Sequence, residues 1–368
     1  MMRFPNTAKQ YRYCPLLSFV VLCCLIFSTC AKEPPARSEL VLGTKCTVNL
    51  FEYGNQKLYE RIFERLREIE KTMIAAHHGK NSGWEGVLHT QLSGIMLINQ
   101  NAGIAPVQVG ADLLEVLERA CYYAELSNGA FDPTVGPLVS AWGIGTESEQ
   151  IPGQQEIDRA LALINWQDLI IDHEQGTAFL QQPGMEIDLG AIAKGYAADE
   201  AARIAGEGGA ARAIIDLGGN IVALGSRSSN APWRIGIQDP LEKRNAYIGI
   251  ISVNDKTVVT SGIYERYFEQ DGKQYHHILS TKDGYPVDNG LISVSIVTER
   301  SIDADGLSTA VFALGFQQGL ELLKAIPRTD AIFIFADRSV YVTDGIREVF
   351  RLTNDDYFIP TSSISNIR

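Results

Sequence analysis

One stretch limits the fold of this chain more than any other. Leu291-Ile292-Ser293-Val294-Ser295-Ile296-Val297 has the alternation of a buried strand. It runs through Thr298-Glu299-Arg300-Ser301 into Ile302–Leu314, where Leu307, Ala310, Val311 and Leu314 share one helical stripe. A strand feeding straight into an apolar helix needs a core large enough to bury both. The helical half also carries Asp305 and Thr309, four residues apart, so a helix places both oxygens on one face, one turn apart. A carboxylate and a hydroxyl beside a helix start suit a hard cation such as Mg²⁺, which takes oxygen ligands and keeps several waters. The alternative is a capped helix end, with Ser301 or Asp303 as N-cap and Thr309 facing solvent.

The length allows such a core: 368 residues, 45% of them hydrophobic and 21% charged, suffice for one large domain or two lobes. The formal net charge of -12 argues against nonspecific nucleic-acid binding. An acidic chain that handles a phosphate ester needs local help from a cation or from backbone N–H groups.

The N-terminus reads as a targeting segment. Arg3, Lys9 and Arg12 precede an apolar run, Leu16 to Phe27, that is too short to span a bilayer comfortably. Phe27-Ser28-Thr29-Cys30 resembles the end of a bacterial lipoprotein signal, in which the cysteine is lipidated and becomes the first mature residue. The expected organisation is a signal over residues 1–29, lipidated Cys30 and a polar tether to 38, a folded domain over 39–354 and a tail over 355–368. A plain N-terminal membrane anchor is the other reading, and either one puts the domain outside the cytoplasm. Beyond Cys30 two cysteines remain, Cys46 and Cys121, expected as buried thiols rather than a bridge.

Along the chain, Leu40 to Phe51 reads as a strand, and Lys57 to Met73 as an amphipathic helix with Leu58, Ile62, Leu66, Ile69 and Met73 inward. His77, His78 and His89 fall in a Gly-rich polar loop and are expected to be exposed. Asp112 to Leu126 is a second helix. Asn128-Gly129-Ala130-Phe131-Asp132-Pro133-Thr134-Val135-Gly136-Pro137-Leu138 reads as a rigid loop. Phe131 and Asp132 on it suit a planar ligand that needs stacking and an acceptor; otherwise Phe131 belongs to the core. Gln154 to Leu163 reads as a short helix and Leu169–Leu180 as a hairpin. Met185–Asp188 with Leu189-Gly190 and a following helix gives strand, glycine turn and helix start, a ready anion cradle. Leu217-Gly218-Gly219-Asn220 joins two strands, and the chain is β-rich from there, with Asp271-Gly272 as a hairpin turn. Two short strands near 331–335 and 339–343 close it. The fold class expected is α+β, mixed β-sheets flanked by helices.

Five of these runs, in order, resemble the ApbE family of flavin transferases: Gly129–Pro137, Ile187–Asp199, Leu217–Asn220, Ser261–Arg266 with His276–Leu279, and Ala304–Ala310. The resemblance covers roughly residues 40 to 350. It implies a two-lobed single catalytic domain, extracytoplasmic, that binds FAD and Mg²⁺ and moves FMN onto a Thr of a partner protein, releasing AMP. The partners it implies are subunits of Rnf-type and Na⁺-translocating NADH:quinone reductase complexes. By position, Asp305 and Thr309 resemble side-chain metal ligands, and Ala191 a main-chain carbonyl ligand. Ser308 stands where some members have a further carboxylate. Ala130, Phe131 and Asp132 resemble the flavin-contacting run; Leu42, Asp188, Lys194 and Leu279 match other FAD contacts, Leu42 where the family usually has Met. His277 is the candidate base for the acceptor hydroxyl. Ser280-Thr281 stands where Asp-Pro is usual, Ile263 where Asp is frequent, and the Met-Ser-rich segment after the first helix reads Met73-Ile74-Ala75-Ala76. The same residues admit two other activities: hydrolysis of FAD to FMN and AMP, or flavin carriage without chemistry.

Overall fold

The computed structural model describes residues 35–51, 54–74, 93–228 and 231–360. The signal, Cys30, the first half of the tether, the three loop histidines and the end of the C-terminal tail lie outside the described residues.

The first expected strand is a hairpin, β1 (Arg37–Val41) and β2 (Thr44–Leu50). Leu42 and Gly43 have φ of 57° and 68°, and this pair of left-handed residues turns the chain in two positions. Helix α1 (Gln56–Met73) follows, capped by the Asn55 side chain. Sequence periodicity did not mark α2 (Gly94–Gln100) or the two-residue β3 (Val107–Gln108). Then come α3 (Ala111–Leu126), α4 (Gly136–Trp142) and α5 (Gln154–Leu161). The rigid loop therefore ends at Gly136, where Pro137 enters a helix at a position that needs no N–H donor.

Strands β4 (Leu169–Asp172) and β5 (Thr177–Leu180) pair as expected, with β3 joining their edge. The strand expected before Gly190 does not form; the segment makes only an isolated bridge, Val135 to Glu186, before helix α6 (Ala193–Glu207). Next are β6 (Ala213–Leu217), β7 (Asn220–Leu224), β8 (Trp233–Gln238), β9 (Tyr247–Val253) and β10 (Lys256–Gly262). A small hairpin, β11 (Tyr267–Gln270) and β12 (Lys273–His276), turns at Asp271-Gly272. The opening stretch is β13 (Leu291–Thr298) and α7 (Ser301–Leu314), followed by α8 (Phe316–Lys324), β14 (Asp330–Phe335), β15 (Val340–Val342) and β16 (Phe350–Leu352).

Eight strands form one sheet in the order β1-β2-β6-β7-β10-β13-β14-β15, antiparallel at every pairing. All eight residues of β13 are buried, since this central strand is covered on both faces. Val294 and Ile296 face the helical layer, and Ile292 and Val297 face a second core against the sheet β16-β9-β8. Helices α6 and α7 lie against each other on the first face. Among the described residues no helix is long and apolar enough to cross a membrane. Tyr357, in the expected tail, is buried against the second core and donates from its hydroxyl to Asp239 Oδ1 at 2.5 Å. The Cys46 and Cys121 thiols are unbridged, and burial pushes both up to about 12.

Candidate active site

The site is built where α6 and α7 meet. Gly195, on the first turn of α6, is pressed against the start of α7: a Cβ there would lie 2.3 Å from the Ser301 carbonyl oxygen and 2.7 Å from Asp305 Cβ. Only glycine permits that approach. A helix start leaves N–H groups without intrahelical acceptors, and Ile192 at the N-cap has no side chain to offer one. Asp305 of α7 supplies it, accepting the Gly195 N–H on Oδ2 at 2.8 Å. Its other oxygen, Oδ1, faces the Lys194 ammonium at 4.0 Å. That ammonium donates to the Gly190 carbonyl at 2.9 Å, so one cation bridges the turn beside Ala191 and the buried carboxylate.

Thr309 lies one turn beyond Asp305, half-buried, with its Oγ1 3.4 Å from the Ser261 hydroxyl of β10. Ser308 is fully buried; its Oγ donates to the Asp305 carbonyl at 2.9 Å and pairs with Ser261 Oγ at 2.8 Å. Its hydroxyl is thus spent on packing α7 to the sheet. The capping alternative for this helix is not what forms. Neither Ser301 nor Asp303 is the N-cap: Arg300 occupies that position without a side-chain capping bond, and Asp199 of α6 accepts the Ser301 and Ile302 N–H groups at 2.7 and 3.0 Å. Burial pushes the Asp199 carboxyl up to about 6. Asp303 instead binds Arg119 of α3 at 2.8 Å.

The turn before α6 spends the N–H groups of Asp188, Gly190, Ile192 and Ala193 within the protein, so these do not form the open anion cradle that the glycines suggest. Asp188 Oδ1 accepts the Gly190 N–H at 2.7 Å, and the Asp188 N–H donates to the Pro133 carbonyl at 2.9 Å. That bond, with Gly136 N–H to the Glu186 carbonyl at 3.1 Å, stitches the 128–136 loop to this segment. Within the loop Phe131 is buried, edge-on to Tyr123 with centroids 6.4 Å apart, which places it in the core. Asp132 is buried too: Oδ1 accepts from the Thr134 N–H (2.8 Å) and hydroxyl (2.7 Å), and Oδ2 from the Trp166 N–H (3.1 Å). Ala130 is half-exposed. A polar cleft of about 480 Å³ opens beside this loop, lined by Gly129, Asp132, Asn165, Trp166, Thr281 and Lys282. Thr281 closes onto it, its hydroxyl donating to the Gly129 carbonyl at 2.7 Å.

His277 follows β12. Its backbone N–H and its Nδ1 both meet the Arg266 carbonyl at 3.1 Å. A ring nitrogen against a carbonyl must carry the proton, which leaves Nε2 as the lone-pair acceptor. Burial, then the positive charges of Arg266, His276 and Lys194, push this imidazole down to about 3. Burial raises the neighbouring Glu265 carboxyl, against the opposing pull of Arg244, Lys194 and Arg266. The Lys194 charge therefore bears on Asp305, His277 and Glu265 together. His276 is structural, its Nε2 bonded to the Val287 carbonyl at 2.9 Å.

Leu279 and Leu42 sit elsewhere in the cores. Leu279 is buried with Leu138, Trp142 and Ile157. Leu42 is buried at the tip of the first hairpin, its N–H donated to the Glu70 carboxylate of α1, which burial pushes up to about 7. The residues that sequence reasoning left without a role are Glu70, Asp199, Ser261 and Glu265. For Asp199 a signal existed: it lies one helical turn from Gly195, on the face that meets α7. Ser261 and Glu70 gave none, because their partners are distant in sequence.

Among the described residues no group of three or more His, Cys, Asp or Glu could hold a metal ion. A cation at Asp305 would thus take one carboxylate, hydroxyl and carbonyl oxygens, and oxygens brought by a substrate, which is a donor set of hard oxygens suited to Mg²⁺.

The profile of the ApbE family matches residues 42–333. A FAD:protein FMN transferase of Klebsiella pneumoniae is 35% identical over 320 residues, 87% of this chain and 95% of the relative. One from Treponema pallidum is 36% identical over 334 residues, 86% and 89% of the two chains. The ApbE protein of Thermotoga maritima superposes with a TM-score of 0.75 at 29% identity, covering 86% of this chain and 98% of its own. The flavin transferase ApbE of Vibrio cholerae gives 0.73 at 27%, covering 86% and 98%; a histidine-to-glycine variant of it gives the same TM-score. With the profile spanning most of the described residues and both relatives covered nearly end to end, the chain belongs to the ApbE family.

Proposed function

We propose that this protein is a Mg²⁺-dependent FAD:protein FMN transferase that attaches FMN, through a phosphoester bond, to a Thr hydroxyl of an extracytoplasmic acceptor and releases AMP. The observation that carries the proposal is the Asp305 carboxylate, buried at the α6–α7 junction, with one oxygen fixed by Gly195 N–H and the other turned to a cationic neighbour. Asp305, Thr309 and the Ala191 carbonyl would hold the ion, which when bound supplies positive charge against the FAD diphosphate and the departing AMP.

The chain's own groups do the rest. The Lys194 ammonium, beside Asp305 and the Gly190 carbonyl, meets phosphate oxygens and lowers the repulsion between diphosphate and nucleophile. The loop of Ala130, Phe131 and Asp132, held rigid by Thr134, Trp166 and Thr281, offers its backbone and the adjoining cleft to the flavin half. His277 Nε2 accepts the proton of the acceptor Thr as its oxygen bonds to the FMN phosphorus, the anionic diphosphate offsetting the Arg266 and Lys194 charges that hold the imidazole down in the free protein. The phosphorus–oxygen bond to the AMP half breaks, and AMP leaves with that electron pair.

The acceptors proposed are Rnf- or Nqr-type redox subunits, with the enzyme lipid-anchored at Cys30 on the extracytoplasmic side of a bacterial membrane. Incubating the protein with FAD, Mg²⁺ and an acceptor domain, then weighing the acceptor by mass spectrometry, tests the transfer. An added FMN supports it. Rapid AMP release with an unmodified acceptor would turn the assignment to hydrolysis, and tight FAD binding with neither product to flavin carriage.

A further inference from the structure

Helices α6 and α7 cap each other. Asp305 of α7 accepts an N–H from the first turn of α6, and Asp199 of α6 accepts two from the first turn of α7, one on each carboxylate oxygen. The second half of this exchange touches none of the candidate ligands of the site. It fixes instead where α7 starts. Arg300 at the N-cap has no side-chain acceptor to offer, so Ser301 and Ile302 rely on Asp199, which also faces the Arg300 guanidinium at 3.9 Å. Arg119 on Asp303 (2.8 Å) and Glu115 on Arg300 (3.2 Å) tether the same turn to α3, but to side chains, not to its N–H groups.

We propose that Asp199 is a positioning residue for the cation site: by clamping the first turn of α7 against α6 it sets the depth at which Asp305 and Thr309 are presented. The inference rests on the function proposed above, in which Asp305 ligates the cation. One helical turn separates the clamped N–H groups from Asp305, and a helix is stiff over one turn, so an error in where α7 starts passes directly to the carboxylate. The Gly195 approach makes this tight, because Ser301 and Ile302 are also the residues that Gly195 abuts. If the clamp is lost, the first turn frays, and Asp305 keeps its Gly195 bond only at the cost of its alignment with Thr309. Cation affinity then falls more than overall folding does.

The test uses Mn²⁺ as the probe ion, with binding to the full mature chain followed by electron paramagnetic resonance. Thermal melts and hydrogen exchange at the Ser301 and Ile302 amides run in parallel. Asp199→Ala is expected to weaken Mn²⁺ binding tenfold or more and to speed exchange at both amides, with a cooperative melt retained. Asp199→Asn keeps one acceptor oxygen, is expected to lose threefold to tenfold, and carries the test alone if the alanine variant does not fold. A lowered melting temperature with unchanged Mn²⁺ affinity would show a merely structural role and overturn the proposal. Wild-type protein that binds no Mn²⁺ would instead overturn the cation assignment, and the proposal with it.

Discussion

Replacing Gly195 with alanine probes the α6–α7 junction most directly. The added methyl would meet the Ser301 carbonyl oxygen at 2.3 Å and both Asp305 Cβ and Ile302 Cα at 2.7 Å. Carbon contacts settle near 3.5–4.0 Å, so the helices must part by about 1 Å. Overpacking of this kind costs about 1–3 kcal/mol. Parting the helices also strains the 2.8 Å bond from Gly195 N–H to Asp305, and leaving that pair unmade costs roughly 1–3 kcal/mol more. Alanine returns about 1 kcal/mol through helix propensity. The net expectation is a destabilisation of about 1–5 kcal/mol, read as a lower urea midpoint at unchanged slope. Because Asp305 moves with the parting helices, the Mg²⁺ concentration for half-maximal FMN transfer should rise at least tenfold. A variant within ~0.5 kcal/mol of wild type, with unaltered Mg²⁺ dependence, would refute the close approach as the reason for this glycine, since ordinary surface substitutions fall in that range.

Other substitutions separate roles that overlap at the site. Asp305→Asn keeps an oxygen for the Gly195 N–H but loses the charge, so folding should change by less than ~1 kcal/mol while transfer is abolished; Asp305→Ala should do both, costing about 1–3 kcal/mol for the orphaned donor. Labelling of an acceptor by either variant at the wild-type rate would remove Asp305 from the cation site. Asp132→Ala strands three donors, on Thr134 and Trp166, and should lower stability by about 3 kcal/mol in a denaturation series. His277, held down at about 3, is neutral in the folded protein, whereas an unfolded histidine protonates near ~6.5. Its contribution to stability is therefore complete above that pH and lost as pH falls toward 3. The rate profile should show no histidine limb near neutrality, and an acid limb at ~6.5 that vanishes in His277→Gln would contradict a neutral ring. Glu70, raised to about 7, runs the other way: its stabilising contribution is present below ~4.5 and fades as pH rises through 7. Glu70→Gln should gain on wild type by roughly 3 kcal/mol between those limits in melts across pH, and a constant difference would argue against the buried carboxyl.

Much of this protein was legible from residue order, because local physics writes it there. The stripe of Leu58, Ile62, Leu66, Ile69 and Met73 specifies α1, and it forms over Gln56–Met73. Asp271-Gly272 specifies the β11–β12 turn, and Asp305 and Thr309 are a helical turn apart in α7. Where local signals conflicted, sequence reasoning erred: Leu42-Gly43 broke an expected single strand into a hairpin, and Met185–Asp188 stayed unpaired save for one bridge. What only the tertiary structure decided is which partners meet. Asp199 rather than Ser301 or Asp303 caps α7, Ser261 joins Ser308 from 47 residues away, and Arg266 selects the histidine tautomer. Phe131 turns into the core against Tyr123. The physical reason is range. Periodicity, turns and helix propensity act over a few residues, so the chain records them locally. Hydrogen bonds and burial between distant segments depend on how layers pack, and the helix face that carries Asp305 finds its partners only once α6 lies against it.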